Sequence, residues 1–208
     1  MVPSFMRSFE ELRTLAEGED GAGVWSILLS SNPSLSAEFA NRYQEVFNSV
    51  VDRTWHLTVG ALHANKTNFS GDTIKYAEDE KFHGEAVSFR NSLLSQGRDL
   101  PELSIVFFDP RRSDQNAPVV ILPLDAQKIS HHDLYKSGFQ VAHTAVLRTF
   151  GSLGTSPYNA IPIERSSEFF EELERQLKLA RLKSFLVLAG RFVVTSLLAG
   201  IIAYPVAG

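Results

Sequence analysis

The sequence predicts an α+β fold: a small, largely antiparallel sheet with flanking helices, followed by a long C-terminal helix that becomes a single transmembrane span. Three observations carry this. Trp55, Leu57 and Val59 alternate with polar residues, and Leu103–Phe108 and Val119–Leu122 are apolar runs rich in β-branched and aromatic side chains. Phe39, Tyr43, Val46, Phe47 and Val50, and later Phe82, Ala86, Phe89 and Leu93, recur at helical spacing. From Ser184 to Gly208 the chain carries one charge, Arg191.

The elements follow in order. Ser8-Phe9-Glu10-Glu11 is a capping box and opens a short helix that stops at Gly18. Val24–Leu29 is a short apolar run closed by Asn32-Pro33, and it is read as helix. Residues 35–51 form an amphipathic helix, and from Arg53 the period changes to that of a strand. Asn65–Asp72 is polar and turn-rich, with Thr73–Tyr76 as a short strand beyond it. Glu80–Ser95 is a helix with Gly97 past its end. Asp109–Pro118, between the two apolar strands, is too long for a tight hairpin. Ser130–Lys136 reads as a short capped helix closed by Gly138. Phe139–Phe150 fits both periods and stays open between helix and strand. Gly151–Pro162 is a linker.

Ser167–Lys183 is a helix with Glu168, Glu171, Glu172 and Glu174 in its first half and Arg175, Lys178, Arg181 and Lys183 in its second. That order complements the helix dipole, and Glu171–Arg175 and Glu174–Lys178 are favourable pairs four apart. Phe170, Leu173, Leu177 and Ala180 make an apolar stripe that needs a partner, either the protein's own domain or a neighbouring subunit. From Ser167 onward no proline occurs until Pro205, so one helix over 167–204 would run about 57 Å. About half of it would stand outside the bilayer.

A bilayer core of about 30 Å needs roughly 20 apolar residues in a helix. Leu186–Tyr204 meets that length with Arg191 included, about 7 Å inside the start, where a guanidinium can snorkel to the headgroups. Arg175, Lys178, Arg181 and Lys183 precede the span, and no charge follows Arg191. The positive-inside rule then keeps the preceding domain on the cytosolic or matrix-like side. Ser196 and Gly200 are four apart, and Ala199 and Ala203 make a second row of small residues. Such spacing lets helix backbones approach closely in lipid. The division of the chain is therefore 1–162 as a soluble α+β domain, 163–183 as a charged amphipathic juxtamembrane helix and 184–208 as the transmembrane helix.

Net charge is -4 and the basic residues are scattered apart from the juxtamembrane group, which argues against nucleic acid as a partner. With no cysteine, disulfides and thiolate chemistry are excluded. Residues 1–7 lack the apolar run of a signal peptide. Asn65-Lys-Thr and Asn68-Phe-Ser match the glycosylation pattern but are read as chance on an inward-facing domain.

Arg111 and Arg112 could grip a phosphate, a carboxylate or a partner subunit; the plainer reading is a solvated turn in which they pair with Asp109 and Asp114. His131, His132 and Asp133, with His143, are too few converging ligands for a zinc site, because adjacent helical histidines point apart. His56 and His63 are read as structural. No P-loop, nucleophile elbow, dinucleotide fingerprint or His-Glu-x-x-His is present. No cofactor, metal or catalytic residue is expected.

The expectation is a non-catalytic accessory subunit of a larger membrane complex, with the bilayer and other membrane-complex subunits as partners. A mitochondrial or other energy-converting membrane is one setting. Two alternatives stand beside it: a membrane effector whose tail self-associates, and a tail-anchored enzyme with an unrecognised site.

Overall fold

The computed structural model describes residues 9–18, 21–59, 65–67, 73–75, 80–112 and 117–180. Their order is α1 (Phe9–Glu17), β1 (Val24–Ser30), α2 (Pro33–Val50), β2 (Trp55–Val59), β3 (Asn65–Thr67), β4 (Thr73–Lys75), α3 (Glu80–Ser95), β5 (Leu103–Phe108), β6 (Val120–Leu124) and α4 (His132–Ser152). A last helix, α5, covers residues 166–180.

The architecture is α+β, with a four-stranded mixed sheet in the order β2-β1-β5-β6 and helices on both faces. β1 pairs antiparallel with β5, and β5 antiparallel with β6, but β1 and β2 run parallel. Two of the three pairings are antiparallel, in keeping with the largely antiparallel sheet expected from sequence, and the parallel one makes the sheet mixed. The reason is α2: a helix between two strands returns the chain to the same end of the sheet, so the strands it connects run side by side in one direction. β3 and β4 form a separate antiparallel pair.

Val24–Leu29 is a strand, not the helix its apolar run suggested. It is a central strand of the sheet, and every residue from Val24 to Leu29 is buried. A strand covered on both faces needs apolar residues at consecutive positions, so the alternation that betrays a half-buried strand is missing. Side chains still alternate in space. Val24 and Leu28 join one core cluster, whereas Trp25, Ile27 and Leu29 join the other. Ser26 points into the first face, where its hydroxyl accepts the buried Trp55 indole N–H at 2.7 Å and donates to the His56 carbonyl at 3.1 Å.

α4 is a second correction. It runs unbroken through Gly138 and takes in the segment 139–150, which the sequence left open. Gly138 is exposed with open space around it, so it costs the helix only about 1 kcal/mol. The buried faces of Tyr135, Phe139, Ala142, Val146 and Phe150 more than offset that.

The larger core lies under α2, α4 and α5. Phe39, Tyr43 and Phe47 from α2 meet Tyr135 and Phe139 from α4, and the Tyr43 hydroxyl donates to the Ile129 carbonyl. Phe169, Phe170, Leu173 and Leu177 of α5 are buried in the same cluster, with the Phe150 and Phe169 ring centres 4.8 Å apart. The apolar stripe of the last helix therefore finds its partner in the protein's own domain. Each such side chain contributes about 1.5–3 kcal/mol by leaving water. The opposite face carries a smaller cluster built from Leu12 and Ala16 of α1 and Ala86 and Leu93 of α3.

Among the described residues, no helix is long and apolar enough to cross a membrane. Residues 184–208, on which the predicted span falls, lie outside the described residues.

Candidate functional site at the Asp109–Arg111 clasp and the last helix

β5 delivers Asp109 just past its end, where the side chain is buried. The chain then turns, with the Arg112 N–H donating to the Asp109 carbonyl at 3.1 Å. That turn brings the Arg111 guanidinium back over the acid. Its Nε donates to Asp109 Oδ1 and its Nη2 to Oδ2, both at 2.8 Å, and the Arg111 backbone N–H adds a bond to Oδ1 at 3.1 Å. Arg111 Nη2 also donates to the Ile161 carbonyl at 2.7 Å. Burial alone would raise the Asp109 carboxyl; the hydrogen bonds and charge of Arg111 outweigh it, with a smaller contribution from the nearby Ser166 hydroxyl, and hold it below the ordinary range.

Arg112 is half-buried and donates through Nη1 to the Ser167 hydroxyl at 3.1 Å. The two arginines thus tie the end of β5 to residue 161 and to the first turn of α5. Arg111 is committed to the domain's own carboxylate. The cleft beside it, lined by Gly23, Trp25, Asp109, Arg111, Ile161 and Phe170 among others, has a cavity of about 10 Å³. That is room for no more than one water.

α5 carries Arg175 and Lys178, two of the four cations that the sequence reading places before a span, on its exposed side. Arg175 grips Glu172 through Nε at 2.7 Å and Nη2 at 2.6 Å, and Lys178 pairs with Glu174 at 2.7 Å. Glu172 also accepts from the Ser152 hydroxyl at 2.9 Å and from Gln176 at 2.7 Å, which fastens α5 to the end of α4. The bonds from Arg175 and then Gln176 push the Glu172 carboxyl down to about 2. Arg181, Lys183, Arg191, Ser196, Ala199, Gly200 and Ala203 lie outside the described residues.

The histidines fall into separate places. His56 stacks on Trp25, ring centres 4.5 Å apart, with its Nε2 at 2.9 Å from the Ala22 carbonyl. His132 faces the Tyr43 ring at 6.0 Å, and His131 is exposed. Among the described residues, no three His, Asp or Glu side chains converge to hold a metal.

His143 belongs to a cluster that the sequence did not disclose. Its Nε2 lies 2.9 Å from Thr54 Oγ1 and 3.5 Å from Asp52 Oδ1. Thr54 N–H donates to Asp52 Oδ1 at 2.9 Å, a two-residue turn legible from Asp-Arg-Thr, but His143 is 89 residues from Thr54 and nothing local signals it. The grouping of acid, imidazole and hydroxyl resembles hydrolytic chemistry only on paper. A working base meets its nucleophile with one ring nitrogen and its orienting acid with the other. Here one nitrogen faces both groups, and Thr54 is fully buried. The cluster pins α4 to the turn that precedes β2.

Compared with protein-family models, with curated proteins and with solved structures, the chain matches none.

Proposed function

We propose that the chain is a non-catalytic accessory subunit of a larger membrane complex, held by one transmembrane helix formed from residues 184–208. The observation that carries this reading is the tail itself: an apolar run with one charge, long enough to cross a bilayer and preceded by Arg175, Lys178, Arg181 and Lys183. The domain stands on the cytosolic or matrix-like side. Its partners are lipid and other membrane-complex subunits, with Ser196, Ala199, Gly200 and Ala203 as the face that packs on a neighbouring helix. An energy-converting organelle membrane fits this role.

Two features support a role without catalysis. The clefted acid Asp109 is neutralised by Arg111 beside a cavity too small for a substrate. The hydroxyl of the Asp52–Thr54–His143 cluster is sealed from solvent.

The test has two parts. Full-length protein should resist carbonate extraction from membranes, and a chain ending at Lys183 should be released; retention of the shortened chain defeats the anchor. Purification in mild detergent should then yield unlike subunits, and Gly200→Leu should weaken their recovery. A homo-oligomer as the sole product would instead establish the self-associating effector.

A further inference from the structure

We propose that α5 mounts the domain directly on the bilayer, so that the end of the helix bearing Lys178 and Leu179 is a membrane-facing surface. This rests on the anchored reading above and adds to it where the domain sits.

The argument begins with what α5 is packed against. From sequence, the apolar stripe of this helix is equally open to a neighbouring subunit, which would leave the helix standing clear of its own domain. Instead, Phe169, Phe170, Leu173 and Leu177 are buried with α2, α4 and the sheet, and Ser152 and Arg112 bond to its polar side. The helix is a wall of the domain. It cannot swing away without exposing four large apolar side chains.

The connection to the tail is short. Only residues 181–183 separate Ala180 from Ser184, and even fully extended chain spans about 14 Å over that interval. The end of α5 therefore stays within about 14 Å of the start of the apolar run. A domain joined this way cannot sample the volume a flexible tether would allow.

Charge is graded along the same axis. Glu164, Glu168, Glu171, Glu172 and Glu174, with Arg165 as the one cation among them, precede Arg175 and Lys178. Glu168, in the first turn of α5, lies about 15 Å farther along the helix axis than Lys178, and Glu164 sits in the short 3-10 turn that leads into α5. The acidic end thus stands outside the reach of an anionic headgroup layer, and the basic end stands within it. Lys178 is 70% exposed, and its pair with Glu174 is a surface ion pair that a lipid phosphate can replace. Leu179, 39% exposed beside it, is a large apolar side chain at the lipid-proximal end of the helix.

The chain has no cysteine, so single-cysteine labels report one place each. Full-length K178C, L179C and E164C, each carrying an environment-sensitive fluorophore, are reconstituted into vesicles of phosphatidylcholine and phosphatidylserine. Some of the lipid carries a nitroxide on its headgroup, which quenches only at short range. Labels at 178 and 179 should be quenched severalfold more than the label at 164. A flexible insert of twelve Gly and Ser residues after Ala180 should remove that difference while leaving the protein resistant to carbonate. Equal quenching at all three positions in carbonate-resistant protein overturns the mount and leaves the anchor standing. Protein released by carbonate overturns both.

Discussion

Arg111 holds Asp109 by two parallel hydrogen bonds of 2.8 Å while its Nη2 reaches the Ile161 carbonyl 50 residues on. This one side chain therefore joins the end of β5 to the segment that leads into α5. The pair is 14% and 5% exposed on its two sides, which places it in the range where removing one partner is costly.

Arg111→Met should destabilise the domain by about 3 kcal/mol, because it strands a buried carboxylate. Adding Asp109→Asn in the same chain should recover most of that loss, since both charges are then gone. Urea unfolding of the two single variants and the double variant gives the coupling directly. Additive losses would mean that the two side chains do not stabilise each other.

Acid should unfold the protein partly through Glu172. Its carboxyl sits at about 2 in the fold against an ordinary 4.5. A depressed carboxyl contributes stability that is complete above the unfolded value and is lost as pH falls toward the folded one. The loss attributable to this group should therefore fall between about pH 4.5 and pH 2. Glu172→Gln should flatten, without abolishing, the fall in urea midpoint over that window, because Asp109 also titrates below its ordinary range. Parallel curves for the two proteins would assign the acid sensitivity elsewhere.

Phe169→Ala should cost about 3–5 kcal/mol, since it opens a cavity against Phe150 in a fully buried site. A chain ending at Lys183 should keep cooperative thermal unfolding, whereas one ending at Arg165 should lose it along with Leu173 and Leu177. Circular dichroism melts of the two shortened chains distinguish them. A stable 1–165 fragment would mean that α5 is an appendage.

Gly23→Ala should destabilise by about 2 kcal/mol or more. Gly23 holds φ at +83°, and a Cβ there would lie 2.7 Å from the Thr54 carbonyl oxygen. That carbonyl is the acceptor for Val24 N–H, so the first bond of the parallel pair would be pushed open. An unchanged melting temperature would show that the crossing has slack.

Much of the fold was legible where periodicity and punctuation agreed. Glu80–Ser95 has apolar residues at helical spacing and Gly97 just beyond, and the helix has those bounds. β5 was plain because Leu103–Phe108 is β-branched and aromatic between polar segments. Val24–Leu29 misled because burial on both faces erases alternation, and an apolar run of that length fits helix and strand alike. Gly138 misled because a helix packed along one side tolerates an exposed glycine on the other. The candidate sites divide the same way. The pairing of Arg111 with Asp109 lies two residues apart and could be anticipated, whereas the Ile161 and His143 contacts depend on where distant helices land.

The placement of α5 also sets the order in which the chain can finish itself. β1 acquires one neighbour from residues 55–59 and the other only from residues 103–108. One face of the sheet then waits for Leu173 and Leu177. At a synthesis rate of about 5–20 residues per second, the roughly 70 residues between Phe108 and Leu177 take about 4–14 s. Throughout that interval the nascent chain presents a half-covered sheet, the state in which a holding chaperone matters most. The piece that closes the face is followed within a few residues by the apolar tail. Completion of the domain and synthesis of the apolar tail thus follow one another almost at once.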